Sequence, residues 1–150
     1  MSVEKFSAIF DGLKQAYGTY KVEKTQSNGK NTGKASILKE PRTPKLWKGH
    51  LSGKGTSIGI IPINEDNCCK WGCIDVDQYP LDHKVLIEKI RALKLPLVVC
   101  RSKSGGAHCY LFCKEWIEAK DMQKVLTHLS AALGYGGSEI FPKQVKLHLD

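Results

Sequence analysis

With 150 residues, 41% hydrophobic and 25% charged, the chain is long enough for one domain with its own core, and its composition excludes the disordered and collagen-like classes. No apolar run approaches the roughly 18 residues of a membrane span, and residues 1–14 lack the basic-then-apolar order of a secretion signal, so a cytoplasmic protein without membrane association is expected. The net charge of +8 points to a polyanionic partner.

Val3, Phe6, Phe10, Leu13 and Tyr17 recur at three- and four-residue spacing between Ser2, a candidate cap, and Gly18, which predicts one amphipathic helix over that stretch. Residues 25–44, rich in Ser, Asn, Gly, Lys and Pro with no apolar period, read as a long loop. Nine of the Lys/Arg residues (Lys21, Lys24, Lys30, Lys34, Lys39, Arg42, Lys45, Lys48 and Lys54) fall between 21 and 54 against Glu23 and Glu40, so this stretch holds almost the whole charge excess. It suits a nucleic-acid backbone, because each neutralised phosphate releases counterions; a solvated basic loop is the plainer reading. Residues 57–63 read as a short strand ending near Pro62.

The second half has cleaner rhythm. Residues 71–77 form a strand; Asp82 caps a helix with Leu86, Ile90 and Leu93 on one face; 97–101 and 107–113 are strands. Residues 119–133 are a helix with Met122, Val125, Leu126, Leu129 and Leu133 on one side, and 139–141 begin a last strand. The order β-α-β-β-α-β is the split βαβ pattern. The expected fold is therefore α+β, a single domain with an RRM-like core over 64–150 behind a small N-terminal accessory lobe over 1–63. Both helices of such a core cover one sheet face, so Cys73, Asp75 and Asp77, and opposite them His108, Tyr110 and Phe112, emerge on the other. The two aromatics there need cover, which the N-terminal segment can supply.

Asp75 and Asp77 stand two apart in an apolar strand, about 6.6 Å between Cα atoms on one side. Two such carboxylates repel unless a cation joins them, and hard oxygen ligands suit Mg²⁺ or Mn²⁺. A pair of solvated strand-end acids is the alternative. In the segment Arg101-Ser102-Lys103-Ser104-Gly105-Gly106-Ala107-His108, adjacent glycines expose backbone amides beside hydroxyls and cations, as a triphosphate seat requires. Glu139 is a third acid, at the start of a short apolar strand, and Lys143 stands close enough in sequence to neutralise phosphate charge. The six cysteines include no C-x2-C pair and mostly lie in strand-like runs, so neither structural zinc nor disulfides are expected.

Taken in register, these motifs resemble the archaeo-eukaryotic primase superfamily, in particular the primase-polymerases of phages, plasmids and related mobile or defence systems. Ile74-Asp75-Val76-Asp77 matches the first motif, Ser104 to His108 within a glycine hairpin matches the second, and Glu139 followed by Phe141-Pro142-Lys143-Gln144 matches the third. The match runs over about residues 47–144, and Trp47, His50, Gly53 and Gly59 resemble the family's upstream nucleotide-side segment. The resemblance implies an RRM-like core with the two aspartates on a central strand, His108 on one neighbour and Glu139 on the other. It further implies a DNA primase or polymerase: Asp75, Asp77 and Glu139 bind Mg²⁺ or Mn²⁺ and catalyse, while Arg101, Lys103, Ser104, Gly105, Gly106, His108, His50 and Lys143 bind the nucleotide. NTP or dNTP substrates and a single-stranded DNA template or primer-template are the implied partners, with a helicase or a further C-terminal primase region alongside. The third acid is Glu where Asp is commoner, and members usually continue past the third motif, whereas this sequence stops at Asp150, which fits a fragment or a minimal form. A nucleotide-binding domain without synthesis, an RRM-like nucleic-acid-binding module and a two-metal nuclease are the rival readings.

Overall fold

The computed structural model describes residues 2–25 and 31–148, so Lys30 of the basic stretch lies outside the described residues. Among the described residues the elements in chain order are α1 (Val3–Ile9), β1 (Tyr17–Thr25), β2 (Asn31–Leu38), α2 (Pro44–Leu51), β3 (Ser57–Gly59), β4 (Cys68–Val76), α3 (His83–Ala92), β5 (Val98–Arg101), β6 (Ala107–Glu118), α4 (Ala119–Ala132) and β7 (Glu139–Phe141). They build two antiparallel sheets, one ordered β2-β1-β3 and the other β5-β6-β4-β7. The class is α+β, and the larger sheet with α3 and α4 has the split βαβ order. Among the described residues, no helix is long and apolar enough to cross a membrane.

Local chemistry explains the elements of the larger unit. Asp82 caps α3 by accepting the Lys84 and Val85 amides at 2.9 and 3.1 Å, as a carboxylate at a helix N-terminus does. Leu86 and Ile90 from α3, and Met122 and Leu126 from α4, bury against Ile74, Val76, Ala107 and Cys109 of the sheet. The Lys89 ammonium donates to the Leu133 carbonyl at 2.8 Å, so α3 closes the end of α4. Leu93 and Val125, expected on the buried faces, are exposed; Leu93 is already the C-cap of α3, and α4 turns the faces of Met122 and Leu126 to the sheet.

The N-terminal region departs more from expectation. The predicted helix through Tyr17 stops at Ile9, because the Asp11 carboxylate takes the Gly12 amide and the Leu13 amide pairs with the Ile61 carbonyl. Gly12 is demanded there: a Cβ would lie 2.2 Å from the Ile61 carbonyl oxygen. Tyr17 instead opens β1, buries against Trp47 and Ile58, and donates its hydroxyl to Glu40 at 2.8 Å. The predicted loop over 25–44 contains β2, registered on β1 from Tyr17↔Leu38 to Thr25↔Asn31. The backbone ladder holds that hairpin, with little burial of side chains from β2, so no apolar period marks it in the sequence. The strand expected over 57–63 pairs only over Ser57–Gly59, β4 begins at Cys68 and ends one residue before Asp77, and β6 runs on to Glu118.

The open face of the larger sheet receives cover from Phe10, the residue that caps the end of α1. Phe10 meets Trp71, Tyr110 and Phe112 edge-on at 5.3, 5.4 and 5.5 Å, a geometry that aligns ring edges with ring faces. Trp71 Nε1 donates to the Asp11 carbonyl at 2.7 Å, fixing the turn after α1 on the same surface. On the other face, Gly72 admits α4: a Cβ there would stand 2.6 Å from Leu126 Cδ1 and 2.7 Å from both Met122 Cγ and the Phe141 carbonyl oxygen. Gly72→Ala is expected to lower stability by about 1–3 kcal/mol, the usual range for overpacking a dense core, measured by urea unfolding; an unchanged midpoint would contradict this packing.

Candidate active site

The site is built across strands. In the larger sheet Asp75 is registered with His108 on one side and with Glu139 on the other, and His108 is registered with Cys100 of β5. Directly opposed residues of antiparallel strands project from the same face, so Cys100, His108, Asp75 and Glu139 form one row, next to the row containing Tyr110, Cys73 and Phe141. Two of the three predicted acids are thereby neighbours, although 64 positions separate them in sequence.

The acids differ in their surroundings. Asp75 Oδ1 stands 3.4 Å from His108 Nε2, yet it is buried and makes no hydrogen bond. Burial is the chief influence and pushes this carboxyl up; His108 opposes the rise, Asp77 and Glu139 add to it, and Lys143 opposes it. Glu139 Oε1 pairs with the Lys143 ammonium at 2.5 Å, with both side chains about half exposed. Asp77, one residue past β4, accepts the Tyr79 hydroxyl at 2.9 Å. The Tyr79 oxygen is also 2.7 Å from Ser104 Oγ; with the single phenol proton on the acceptor-only carboxylate, Ser104 donates to the phenol. Tyr79 thus ties the second acid to the glycine hairpin.

That hairpin is held on the end of β4. Ser102 and Gly106 pair through the Ser102 amide at 2.9 Å, the Gly105 amide donates to the Ser102 carbonyl at 3.1 Å, and Gly105 sits at φ +98°, where only glycine is unstrained. A Cβ on Gly106 would meet the Val76 carbonyl oxygen at 2.3 Å, so the loop reaches β4 through a bare backbone. His83, at the start of α3, places Nε2 2.9 Å from the Gly106 carbonyl. Ser102 is buried, while Arg101, Lys103 and Ser104 are exposed, and the Lys103 ammonium lies over the Tyr20 ring of β1 at 5.6 Å.

Other predicted residues fall elsewhere. His50 sits in α2, where its Nδ1 accepts the Ile58 amide at 3.3 Å and burial lowers its pKa; it braces α2 on β3. Arg42 is not a surface cation of the basic stretch: its guanidinium bonds the Leu13 carbonyl and faces Asp11 at 3.7 Å, with 8% of the side chain exposed. Lys45, Lys48 and Lys54 line one open depression with Thr43, Ser52 and Thr56. All six cysteines are free thiols. Tyr79 and His83 were missed in the sequence; their only signal there is position, just after the second aspartate and just after a helix cap.

Among the described residues, no three His, Cys, Asp or Glu side chains converge as a ready metal cage, since each acid leans on a different neighbour. The buried, unbonded Asp75 oxygen nevertheless fits a hard cation, which would satisfy the acceptor that the protein leaves open. A family model described as "TOTE conflict system, Archaeo-Eukaryotic Primase domain" matches residues 3–144. None of the curated proteins matches the chain.

A carboxyl raised by folding holds its proton more tightly in the native state, so the stability it lends at acid pH is lost as pH climbs from the unfolded carboxyl's range through the folded value. Asp75→Asn is therefore expected to flatten the pH profile of thermal unfolding in metal-free buffer and to exceed the parent in stability near neutral pH. Parallel profiles for the two proteins would show that Asp75 is not penalised by its burial.

Proposed function

The chain belongs to the family of archaeo-eukaryotic primase domains of TOTE conflict systems, and on that premise we propose that it is a nucleotidyltransferase, joining nucleotides from NTP or dNTP to a 3′-hydroxyl on a nucleic-acid template. The observation that carries the reading is the row of His108, Asp75 and Glu139 across three strands, with an unsatisfied carboxylate oxygen at its centre and a glycine hairpin at its edge. Asp75, Asp77 and Glu139 would hold Mg²⁺ or Mn²⁺, which when bound neutralises triphosphate charge and makes a hydroxyl more acidic.

The remaining work belongs to the chain's own groups. Ser104 and the amides of the 102–106 turn other than those of Ser102 and Gly105, which close the turn itself, offer hydrogen bonds to β- and γ-phosphate oxygens, with Arg101 and Lys103 supplying charge to offset what develops on the leaving pyrophosphate. His108, at the end of the hairpin and beside Asp75, can donate a ring N–H to a phosphate oxygen. Lys143, now on Glu139, can transfer its charge to phosphate once that acid has another partner. Lys45, Lys48 and Lys54, gathered around one depression, suit the template backbone, with salt-sensitive and sequence-tolerant affinity.

A second reading, a nucleotide-binding domain that completes no synthesis, draws on the Lys143–Glu139 pair, which leaves the third acid neutralised. Primer extension on single-stranded DNA with Mn²⁺ separates the two. Extension is expected, and EDTA is expected to abolish it. Asp75→Ala with Asp77→Ala should lower its rate by well over the roughly 10–100-fold that loss of a supporting residue costs a metal site. A double variant that extends primers at the parental rate refutes the assignment, and saturable nucleotide binding with no product selects the second reading. Tyr79→Phe, which removes only the hydroxyl between Asp77 and Ser104, should slow extension by roughly 10-fold while leaving the fold intact by circular dichroism.

A further inference from the structure

We propose that the exposed face of the β2-β1-β3 sheet seats the nucleobase of the incoming nucleoside triphosphate, lying flat over the Gly18–Gly59 pair beside Tyr20. The inference rests on reading the 102–106 turn as the triphosphate seat and extends it to the other end of the same ligand.

The strand register sets the surface. Gly18 is paired with Gly59 on one side and Ile37 on the other, and Tyr20 with Ser57 and Ala35. Opposed residues share a face, so Ile37, Tyr20, Ala35 and Ser57 ring two adjacent strands that carry no side chains at their centre. These six residues, together with Thr19, Ser36 and Ile58, line one open depression. The reverse face of this sheet is the one that packs, through Tyr17 and Ile58 on Trp47.

Folding does not require these two glycines. A Cβ added to Gly18 would find nothing closer than the Gly59 carbonyl oxygen at 3.5 Å, and one added to Gly59 nothing closer than Gly18 Cα at 3.7 Å, both ordinary contacts. Neither residue has a positive φ. Glycine inside a strand weakens it and characteristically marks close approach of a ligand or another backbone. Among the described residues no other backbone stands over the two glycines on the open side, which points to a ligand.

Position and chemistry select which one. The Lys103 ammonium of the hairpin sits 5.6 Å from the Tyr20 ring, so the depression begins where the phosphate seat ends. Tyr20 remains 37% exposed and Ile37 66%, giving a flat apolar floor with an aromatic and an aliphatic wall. An extended peptide would seek a strand edge for its backbone; a planar ring seeks a bare surface and an aromatic neighbour. Of the six, Ser57 and Tyr20 carry the polar side-chain groups, and the Ser57 hydroxyl already donates to the Tyr20 carbonyl at 3.2 Å, so little on this face distinguishes one base from another and all four should bind within a few fold of one another.

The test compares a dNTP with inorganic tripolyphosphate, each with Mn²⁺, by calorimetry. The parent is expected to bind the nucleotide more tightly than tripolyphosphate. Gly59→Val, which fills the floor with a residue suited to strands, is expected to weaken nucleotide binding roughly 5- to 100-fold, the range of a lost base-stacking contact, while tripolyphosphate affinity stays within about twofold. Its thermal midpoint should hold or rise; Gly18→Ala provides the smaller change should the valine unfold the protein. Unaltered nucleotide binding in a folded variant overturns the slot while leaving the hairpin reading in place. Unaltered nucleotide binding with loss of oligo(dT) binding assigns the face to the template strand and overturns it too. A parent that binds neither nucleotide nor tripolyphosphate refutes the hairpin reading and the slot with it.

Discussion

Three carboxylates of like charge are kept within one another's field at the end of β4, and the rest of the molecule is arranged around making that tolerable. Asp75 feels both Asp77 and Glu139 as unfavourable neighbours and is also removed from water, two effects that each disfavour the ionised form. The protein answers with one separate partner per acid: His108 across the sheet, the Tyr79 hydroxyl along the chain, and Lys143 beyond β7. A sheet suits this task because its register fixes distances that flexible loops would relax. Beneath the row, Ile74 and Val76 are fully buried under the helices, so the strand cannot rotate to lead the acid into solvent.

The same constraint explains the close approaches around β4. Gly72 lets α4 sit directly on the strand that carries the acids, and Gly106 lets the hairpin touch its end; both contacts are at backbone distance, where a methyl group would force the site open. Phe10 and Trp71 pack against each other on the other face, beside the row. Rigidity is bought with strain in packing tolerance, a common feature of sites that must hold charge in place.

What the sequence discloses follows from where burial is one-sided. In the larger sheet every strand has a packed face, so alternation marked β4, β6 and β7, the Asp82 cap marked α3, and even the three residues of β7 were legible at Glu139–Phe141. The strand neighbours of Asp75 came from the family resemblance, since order along the chain does not fix adjacency, and the register has His108 and Glu139 beside it. The β1–β2 hairpin buries little and is held by backbone hydrogen bonds that any residue can make, so a run of Ser, Asn, Gly and Lys concealed a strand. Arg42 looked like one surface cation among nine, because nothing local indicates that Asp11 and the Leu13 carbonyl wait for it 29 or more positions earlier. Tyr79 was hidden for the opposite reason: beside Pro80 it satisfies the chemistry of a turn, and its role depends on Ser104 arriving from another strand pair.

The partners of the three acids are not equivalent, and this sets how the site can respond to a ligand. The Lys143–Glu139 pair is half exposed, and such pairs are worth only about 0–1 kcal/mol, so a stronger cation or a phosphate can separate them at little cost. Tyr79 is likewise exposed and can exchange its hydrogen bond with water. Asp75 has no such freedom: its oxygen is enclosed, short of donors, and fixed by two neighbouring strands. The site therefore has a stationary acid, Asp75, beside two acids whose partners can change, Asp77 along the chain and Glu139 across the sheet. An arrangement of this kind stores its unfavourable electrostatics at one atom, where a bound charge recovers most, and leaves the movable side chains to follow.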